Sequence, residues 1–164
     1  MAFKVGVGKS DFADLRKSDN YYVDKTEFLY ELVNDTDNKV SLFTRPRRFG
    51  KTLMMSMMEN FFNIRKESAG LFGGLNVIKY ESFCREWMNQ YPVLFVSFKD
   101  AEADEFDVAY AKLGNVIADV CKSNSEISDN NIDKDDLEIF ARLKAQKGTA
   151  SDVQNSLKTI MRMM

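Results

Sequence analysis

One segment of the sequence combines residue types that are suited to binding a phosphate group. Residues 45–52 read RPRRFGKT and lie between a run of strand-forming residues and an apolar helical pattern. Gly50 allows backbone N–H groups to approach an anion, Lys51 can contact the β- and γ-phosphates of a nucleotide, and the Thr52 hydroxyl can bind Mg²⁺. The spacing therefore predicts a phosphate-binding loop that opens a helix.

The loop departs from the usual phosphate-binding pattern in one position. That pattern has a second glycine five positions before Gly50, where this sequence has Arg45. A Gly-Lys-Thr triplet can also occur by chance, and a basic loop before a helix can be a solvent-exposed turn that binds no ligand. The flanking strand and helix patterns favour phosphate binding, because the mechanism requires the loop to lie between such elements. From Lys39 to Thr52 there are five basic residues and no acidic one, so the local field is positive.

Composition excludes several classes of chemistry. The chain has 164 residues with 23 basic and 25 acidic side chains, which gives a net charge of -2. Binding of nucleic acid or a membrane would therefore require a local patch of positive charge. Histidine is absent from the sequence, which excludes Ser-His-Asp and Cys-His catalysis and histidine-ligated zinc within this chain. Cys84 and Cys121 are predicted to be reduced and structural. No apolar run reaches membrane-spanning length, so we expect a cytoplasmic protein that binds no membrane.

Helical periodicity accounts for most of the chain outside the loop. Asp24 is predicted to cap the first helix, with Glu27 as its capping-box partner. Each predicted helix has apolar residues along one of its faces. The predicted helices lie at about 24–34, in a segment that begins at about 51, and at 81–90, 106–121, 133–146 and 151–164. Residues 40–44 and 93–98 are predicted to be buried strands. Since no linker or repeat divides the chain, one domain or part of one is expected.

Five separated phrases resemble a known family, the predicted AAA-ATPase-like proteins that occur mainly in gut and anaerobic bacteria. The phrases are SDF with LR at 10–16, YYVDKT at 21–26, TRPRRFGKT at 44–52, LF with GL at 71–75, and YPV through SFKD at 91–100. In this family RPRRFGKT is the ordinary form of the Walker A loop. The absent first glycine is therefore normal for the family, and the resemblance covers nearly the whole chain.

The resemblance implies an α/β fold, a partial P-loop NTPase domain of AAA or ASCE type that is helix-rich with two core strands. Residues 1–164 would be its N-terminal part. Family members continue into an apolar strand with acidic residues at its end, the Walker B element that holds Mg²⁺, and the chain is expected to stop before it. Asp100 is an alternative metal carboxylate, although Ser97, Phe98 and Lys99 separate it from the apolar run.

The resemblance also implies a binding site for ATP and Mg²⁺. The loop positions that match the family are Arg47, Arg48, Phe49, Gly50, Lys51 and Thr52, and Thr52 is the expected metal contact. By analogy with related ATPases, Tyr22, Val23 and Asp24 are expected to flank the adenine, although Asp24 can instead be the helix cap. Full-length relatives are expected to hydrolyse ATP, whereas this chain alone is expected to bind nucleotide weakly without useful turnover.

Two other classes of function stay open. A non-enzymatic nucleic-acid-binding module would use Arg45, Arg47, Arg48 and Lys51 as phosphate contacts, and the full-length protein could present the same patch. A helical interaction scaffold would bind neither ligand. A chain that ends within its domain would also expose strand edges and apolar helix surface, so self-association is expected.

Overall fold

A computed structural model describes residues 6, 8–18, 20–35, 37, 39–125 and 132–164, and most of these residues are helical. The α-helices are α1 Phe12–Lys17, α2 Glu27–Asn34, α3 Lys51–Phe62, α4 Glu81–Trp87, α5 Phe106–Ser123, α6 Lys134–Lys144 and α7 Ala150–Arg162. Short 3-10 helices lie at Ala69–Phe72, Asn76–Lys79 and Lys99–Ala101. The chain divides into two compact units, unit 1 (Met1–Val93) and unit 2 (Leu94–Met164).

The expected α/β fold with two core strands is wrong. Across the described ranges the structure contains no strand or sheet, only an isolated parallel bridge between Asn63 and Tyr91. A strand needs a partner for its backbone N–H and C=O groups, and residues 40–44 have no strand partner among the described residues. Val40 and Leu42 are exposed, while the Phe43 ring meets that of Phe28 edge to face at 5.1 Å. In residues 93–98, Leu94 and Val96 pack against the helical core of unit 2. The apolar runs therefore cover helices or face solvent instead of forming a sheet.

Unit 1 is organised around an aromatic core. Phe12, Phe61 and Phe72 are fully buried, and the ring of Phe12 lies 5.0 Å from that of Phe72. The sequence patterns did not predict α1, which begins after Asp11, whose carboxylate accepts a hydrogen bond from the Asp14 N–H at 2.7 Å. A buried aromatic and an N-terminal cap thus stabilise a helix too short for its periodicity to be read.

A polar contact fixes α1 against α3. The Ser56 hydroxyl on α3 accepts a hydrogen bond from the Phe12 N–H at 3.0 Å and donates to the Asp11 carboxylate at 3.1 Å. Ser56 is buried, so this bridge replaces the water that would otherwise solvate the first turn of α1. The start of α1 is therefore tied to the same helix that carries the predicted phosphate loop.

Asn89 closes the other end of α3. Its side-chain amide donates to the carbonyls of Asn60 at 3.0 Å and Asn63 at 2.9 Å, and to the Ser68 hydroxyl at 3.0 Å. Its backbone N–H donates to the Phe61 carbonyl at 2.7 Å. Asn89 adopts a left-handed backbone, with φ of 56°, which asparagine tolerates better than most residues. One side chain thereby adds a donor to carbonyls at the helix end, which also accept hydrogen bonds from the Ser68 hydroxyl and the Lys66 N–H.

Unit 2 is a bundle of α5, α6 and α7. Its core contains Ile117 and Cys121 of α5, Phe140 of α6 and Ile160 of α7. A capping box begins α7, since the Thr149 hydroxyl accepts from the Asp152 N–H at 3.2 Å and the Asp152 carboxylate accepts from the Thr149 N–H at 3.0 Å.

Two ion pairs join α6 to α7. The Arg142 guanidinium binds the Asp152 carboxylate through two hydrogen bonds of 3.0 and 3.2 Å. Arg162 binds the Asp136 carboxylate in the same two-point manner. Such paired bonds fix the relative orientation of the two helices more tightly than a single contact would.

Most predicted helices are present with shifted ends. The predicted segments at 106–121, 133–146 and 151–164 correspond to α5, α6 and α7, and the segment at 81–90 ends earlier, at Trp87. The predicted capping box of Asp24 and Glu27 is wrong, because Thr26 occupies the N-cap position of α2 and makes no side-chain cap. Asp24 instead accepts hydrogen bonds from Thr26 and from the Asn76 N–H.

Candidate functional site

The predicted phosphate loop leads directly into α3. Gly50 is the N-cap residue of α3 with φ of 77° and ψ of 19°, a left-handed conformation that favours glycine. No side chain caps this helix end, and its first turn carries no acidic residue. The N–H groups of the first turn are therefore open to an anion, which the helix dipole also attracts.

Lys51 is folded back onto the loop. Its ammonium donates hydrogen bonds to the carbonyl of Arg45 at 2.5 Å and to that of Pro46 at 3.0 Å. These bonds keep the positive charge close to the start of α3. A phosphate bound there would compete for the ammonium with the two loop carbonyls, which are neutral and weaker acceptors.

The rest of the loop faces solvent. Arg45, Arg47 and Arg48 are exposed, and Arg48 has a left-handed backbone with φ of 68°. Phe49 leaves 63% of its surface exposed in the midst of these arginines. Thr52 is also exposed on the first turn of α3, so its hydroxyl is accessible to a ligand.

A cavity of about 720 Å³ lies beside this loop. Arg48, Gly50, Lys51 and Thr52 bring the loop and the start of α3 to its lining. The remaining lining residues come from α3, from α1 and from the segment before α1; they are Leu53, Leu15, Gly6, Gly8, Lys9 and Ser10. Within the described residues, its lining contains no aspartate or glutamate, so the cavity suits an anion.

Of the residues expected to flank adenine, Tyr22 packs in the core of unit 1. Its hydroxyl donates to the Met57 sulfur at 3.2 Å, and its ring meets that of Phe12 edge to face at 5.4 Å. Burial raises the pKa of Tyr22 to about 12. Val23 is 58% exposed, and neither it nor Tyr22 is among the described residues that line the cavity.

Asp24 binds groups of the protein itself, from the start of α2 and from a 3-10 helix. Its carboxylate accepts from the Thr26 N–H at 2.9 Å, the Thr26 hydroxyl at 2.7 Å and the Asn76 N–H at 2.6 Å. Burial alone would raise the pKa of Asp24, but these hydrogen bonds outweigh it and lower that pKa. Asp24 thus connects the start of α2 to the 3-10 helix Asn76–Lys79, and its contact with adenine stays a prediction.

The sequence patterns missed the segment that precedes α1. Gly8, Lys9 and Ser10 repeat the order glycine, lysine, hydroxyl of Gly50, Lys51 and Thr52. This repeat is the signal that could have indicated the segment, although a short triplet is weak by itself. Both triplets contribute to the lining of the same cavity.

Other candidate groups lie elsewhere. Asp100 is exposed in the 3-10 helix Lys99–Ala101 of unit 2. In the part of the chain that the structure describes, no three carboxylate or thiol groups are placed to hold a metal ion. Burial raises the pKa of Cys121 to about 11, which keeps the thiol protonated. Among the described helices, none has the length and apolar character that crossing a bilayer requires.

Comparison with known proteins shows the family of the chain. The family model described as "Predicted AAA-ATPase" matches residues 6–164. An uncharacterized protein in the vnfD 5' region of Azotobacter chroococcum mcd 1 is 35% identical over 96 residues, which are 58% of this chain and 17% of that relative. No solved structure matches the chain. Because the family model covers almost the full length, the chain belongs to the predicted AAA-ATPase family.

Proposed function

We propose that unit 1 binds the phosphates of ATP at the start of α3, with Gly50, Lys51 and Thr52 as principal contacts. The observation that carries the proposal is the uncapped, acid-free start of α3 beside a cavity that Lys51 and Arg48 line. Membership of the predicted AAA-ATPase family supports a nucleotide as the ligand. Arg47 and Phe49 complete the exposed loop around the phosphates.

The proposal includes Mg²⁺ as a companion of the nucleotide. Thr52 offers one hydroxyl ligand, and Mg²⁺ usually takes its remaining ligands from phosphate oxygens and water. The described lining of the cavity offers no carboxylate to orient an attacking water. The proposal for this site is therefore binding of ATP and Mg²⁺, and hydrolysis belongs to the proposal for the whole family protein.

Calorimetric titration with ATP and Mg²⁺ tests this proposal. Lys51→Ala is expected to weaken binding at least about 100-fold, since a charge-assisted phosphate contact and its positioning are lost together. Lys158→Ala removes an exposed lysine from α7 in unit 2 and serves as the matched control. Equal affinity of Lys51→Ala and the wild type, or no binding by the wild type, would reject the proposal.

A second candidate function is binding of single-stranded nucleic acid by the same loop. Phe49 supports it, because an exposed ring among Arg45, Arg47 and Arg48 can stack on a base while the arginines contact phosphates. This exposed aromatic is a feature that the charge pattern alone does not indicate.

Fluorescence anisotropy with a labelled oligonucleotide separates the two candidates. Nucleic-acid binding predicts an affinity that falls steeply with salt, is unchanged by ATP, and is lowered by Phe49→Ala. Phe98→Ala, which removes another exposed phenylalanine in unit 2, is the control. Anisotropy that stays at the value of the free oligonucleotide would exclude this candidate.

A further inference from the structure

We propose that Gly8, Lys9 and Ser10 form the part of the cavity that receives the nucleoside of the bound nucleotide, while Arg48 to Thr52 receive its phosphates. This inference rests on the proposed function and extends it to the specificity of the same site. It assigns the nucleoside to the segment before α1 instead of to Tyr22, Val23 and Asp24.

Charge distinguishes the two parts of the lining. The Lys9 ammonium lies 2.8 Å from the Asp14 carboxylate and donates to the Ser18 hydroxyl at 2.8 Å. The hydrogen bond from Lys9 lowers the pKa of Asp14, as expected for a pair in which both groups are charged. The segment before α1 therefore contributes a neutralised lysine, whereas Arg48 and Lys51 bring positive charge to the cavity.

The remaining groups of this segment suit a sugar and a base. Gly6 and Gly8 present backbone without side chains, Ser10 adds a hydroxyl, and Leu15 adds apolar surface beside them. Small-molecule sites are mostly apolar with a few polar groups, and they have volumes of roughly 300–1,000 Å³. The cavity, at about 720 Å³, falls within that range and is large enough to extend beyond a phosphate subsite.

The segment is held in place by the helix that carries the phosphate loop. Ser10 is followed directly by Asp11, which binds Ser56 of α3 at 3.1 Å. Phe12 donates its N–H to the same hydroxyl and is fully buried. These contacts hold the segment before α1 close to the start of α3, so the two parts of the lining are anchored to the same helix.

Gly8 gives the inference a specific position to test. It adopts a left-handed backbone with φ of 79°, and a Cβ added there would meet no atom within 4 Å. Gly8 lines the cavity and its surroundings are open, so a side chain added at this position can be accommodated at the cavity edge without displacing the core. Asparagine is the appropriate replacement because it tolerates the left-handed conformation.

The experiment compares ATP with inorganic tripolyphosphate by calorimetry, each with Mg²⁺. Gly8→Asn is expected to weaken ATP binding about tenfold while leaving tripolyphosphate binding unchanged. Gly74→Asn is the matched control, since Gly74 has φ of 77° and the same open surroundings but is absent from the cavity lining. Lys51→Ala is expected to weaken the binding of both ligands.

A second variant keeps the test decisive if Gly8→Asn fails to fold. Ser10→Leu places a bulky side chain in the lining at an exposed position, with Ser82→Leu on α4 as its control. Loss of ATP affinity alone supports the inference. Equal loss of affinity for both ligands, or no loss, overturns this inference but not the proposed phosphate site, provided that the wild type binds both ligands. A wild type that binds neither ligand rejects the proposed function as well.

Discussion

Asn89 shows how much of unit 1 depends on a single side chain. Replacing it with glycine preserves the left-handed backbone and removes only the amide that serves Asn60, Asn63 and Ser68. The carbonyl of Asn60 would lose a buried partner, so Asn89→Gly is expected to lower the free energy of unfolding by about 2 kcal/mol. Urea denaturation measures this change.

Two further substitutions calibrate that measurement. Asn89→Ala is expected to cost about 1 kcal/mol more than the glycine variant, because alanine is strained in the left-handed region. Asn155→Ala removes an exposed amide on α7 that donates to the Ser151 carbonyl one turn away, and it is expected to have little effect. An Asn89→Gly variant as stable as the wild type would contradict this role, and would mean that the Ser68 hydroxyl and the Lys66 N–H suffice as donors to the Asn60 and Asn63 carbonyls.

The role of Asn89 illustrates a limit of sequence reasoning at the residue scale. Its three partners precede it by 21 to 29 positions, so no local pattern connects them. Gly50, Lys51 and Thr52 differ in this respect, since the function proposed for them rests on adjacent residue types and on a helix that starts at Lys51. The start of α3 could be predicted from adjacent residues, whereas the long-range polar contacts depend on the tertiary fold.

Asp152 makes the start of α7 sensitive to acid. The hydrogen bond from Arg142, followed by those from Thr149, lowers the pKa of this carboxyl to about 2 from the ordinary 3.8. A carboxyl with a lowered pKa stabilises the fold above its unfolded pKa, and that stabilisation is lost as pH falls toward the folded pKa. Unfolding free energy should therefore decrease between about pH 4 and pH 2.

Urea titrations followed by circular dichroism across this range check the expectation. Asp152→Asn keeps the size of the side chain but cannot titrate, so its stability should be lower at neutral pH and should vary less between pH 4 and pH 2. Asp119→Asn, which alters an exposed carboxylate on α5, should retain the slope of the wild type. Parallel slopes for all three proteins would contradict this role of Asp152.

Helices and strands differed in how well their patterns predicted them. An amphipathic helix forms its own backbone hydrogen bonds, so the apolar spacing of α5 and α7 was sufficient to locate both. A strand depends on a partner elsewhere in the chain, and the apolar character of residues 40–44 and 93–98 could not establish one. An apolar run of this kind is equally suited to an extended segment that packs against a helical core.

At the scale of the whole molecule, residues 40–44 expose an apolar surface. Val40 and Leu42 leave 84% and 85% of their surfaces exposed, and Phe43 leaves 38%. Exposed strand-forming residues without a partner promote association between copies. We expect the protein to self-associate with increasing concentration and Leu42→Lys to shift it toward monomer.

Sedimentation velocity over a range of concentrations measures this association. Leu137→Lys changes a less exposed leucine on α6 and should leave the association unchanged. A wild type that sediments as a monomer at every concentration would refute the expectation.

The division into two units was not predictable from the sequence. The boundary between Val93 and Leu94 falls inside the apolar run that follows Pro92, where no glycine-rich linker or change in charge marks it. Each unit has its own core, and the contacts that build the two cores were not evident from linear patterns. The family, in contrast, could be predicted, because each of its characteristic phrases is a run of adjacent residues that can be recognised without the fold.

The position of Trp87 has an optical consequence. It is the one tryptophan of the sequence, it lies in unit 1, and its ring stacks on Tyr91 at 4.6 Å. Emission excited selectively at the red edge of its absorption band therefore originates from the first 93 residues. Such a signal would follow the melting of the unit that contains the proposed nucleotide site, and α5, α6 and α7 would need a second spectroscopic label.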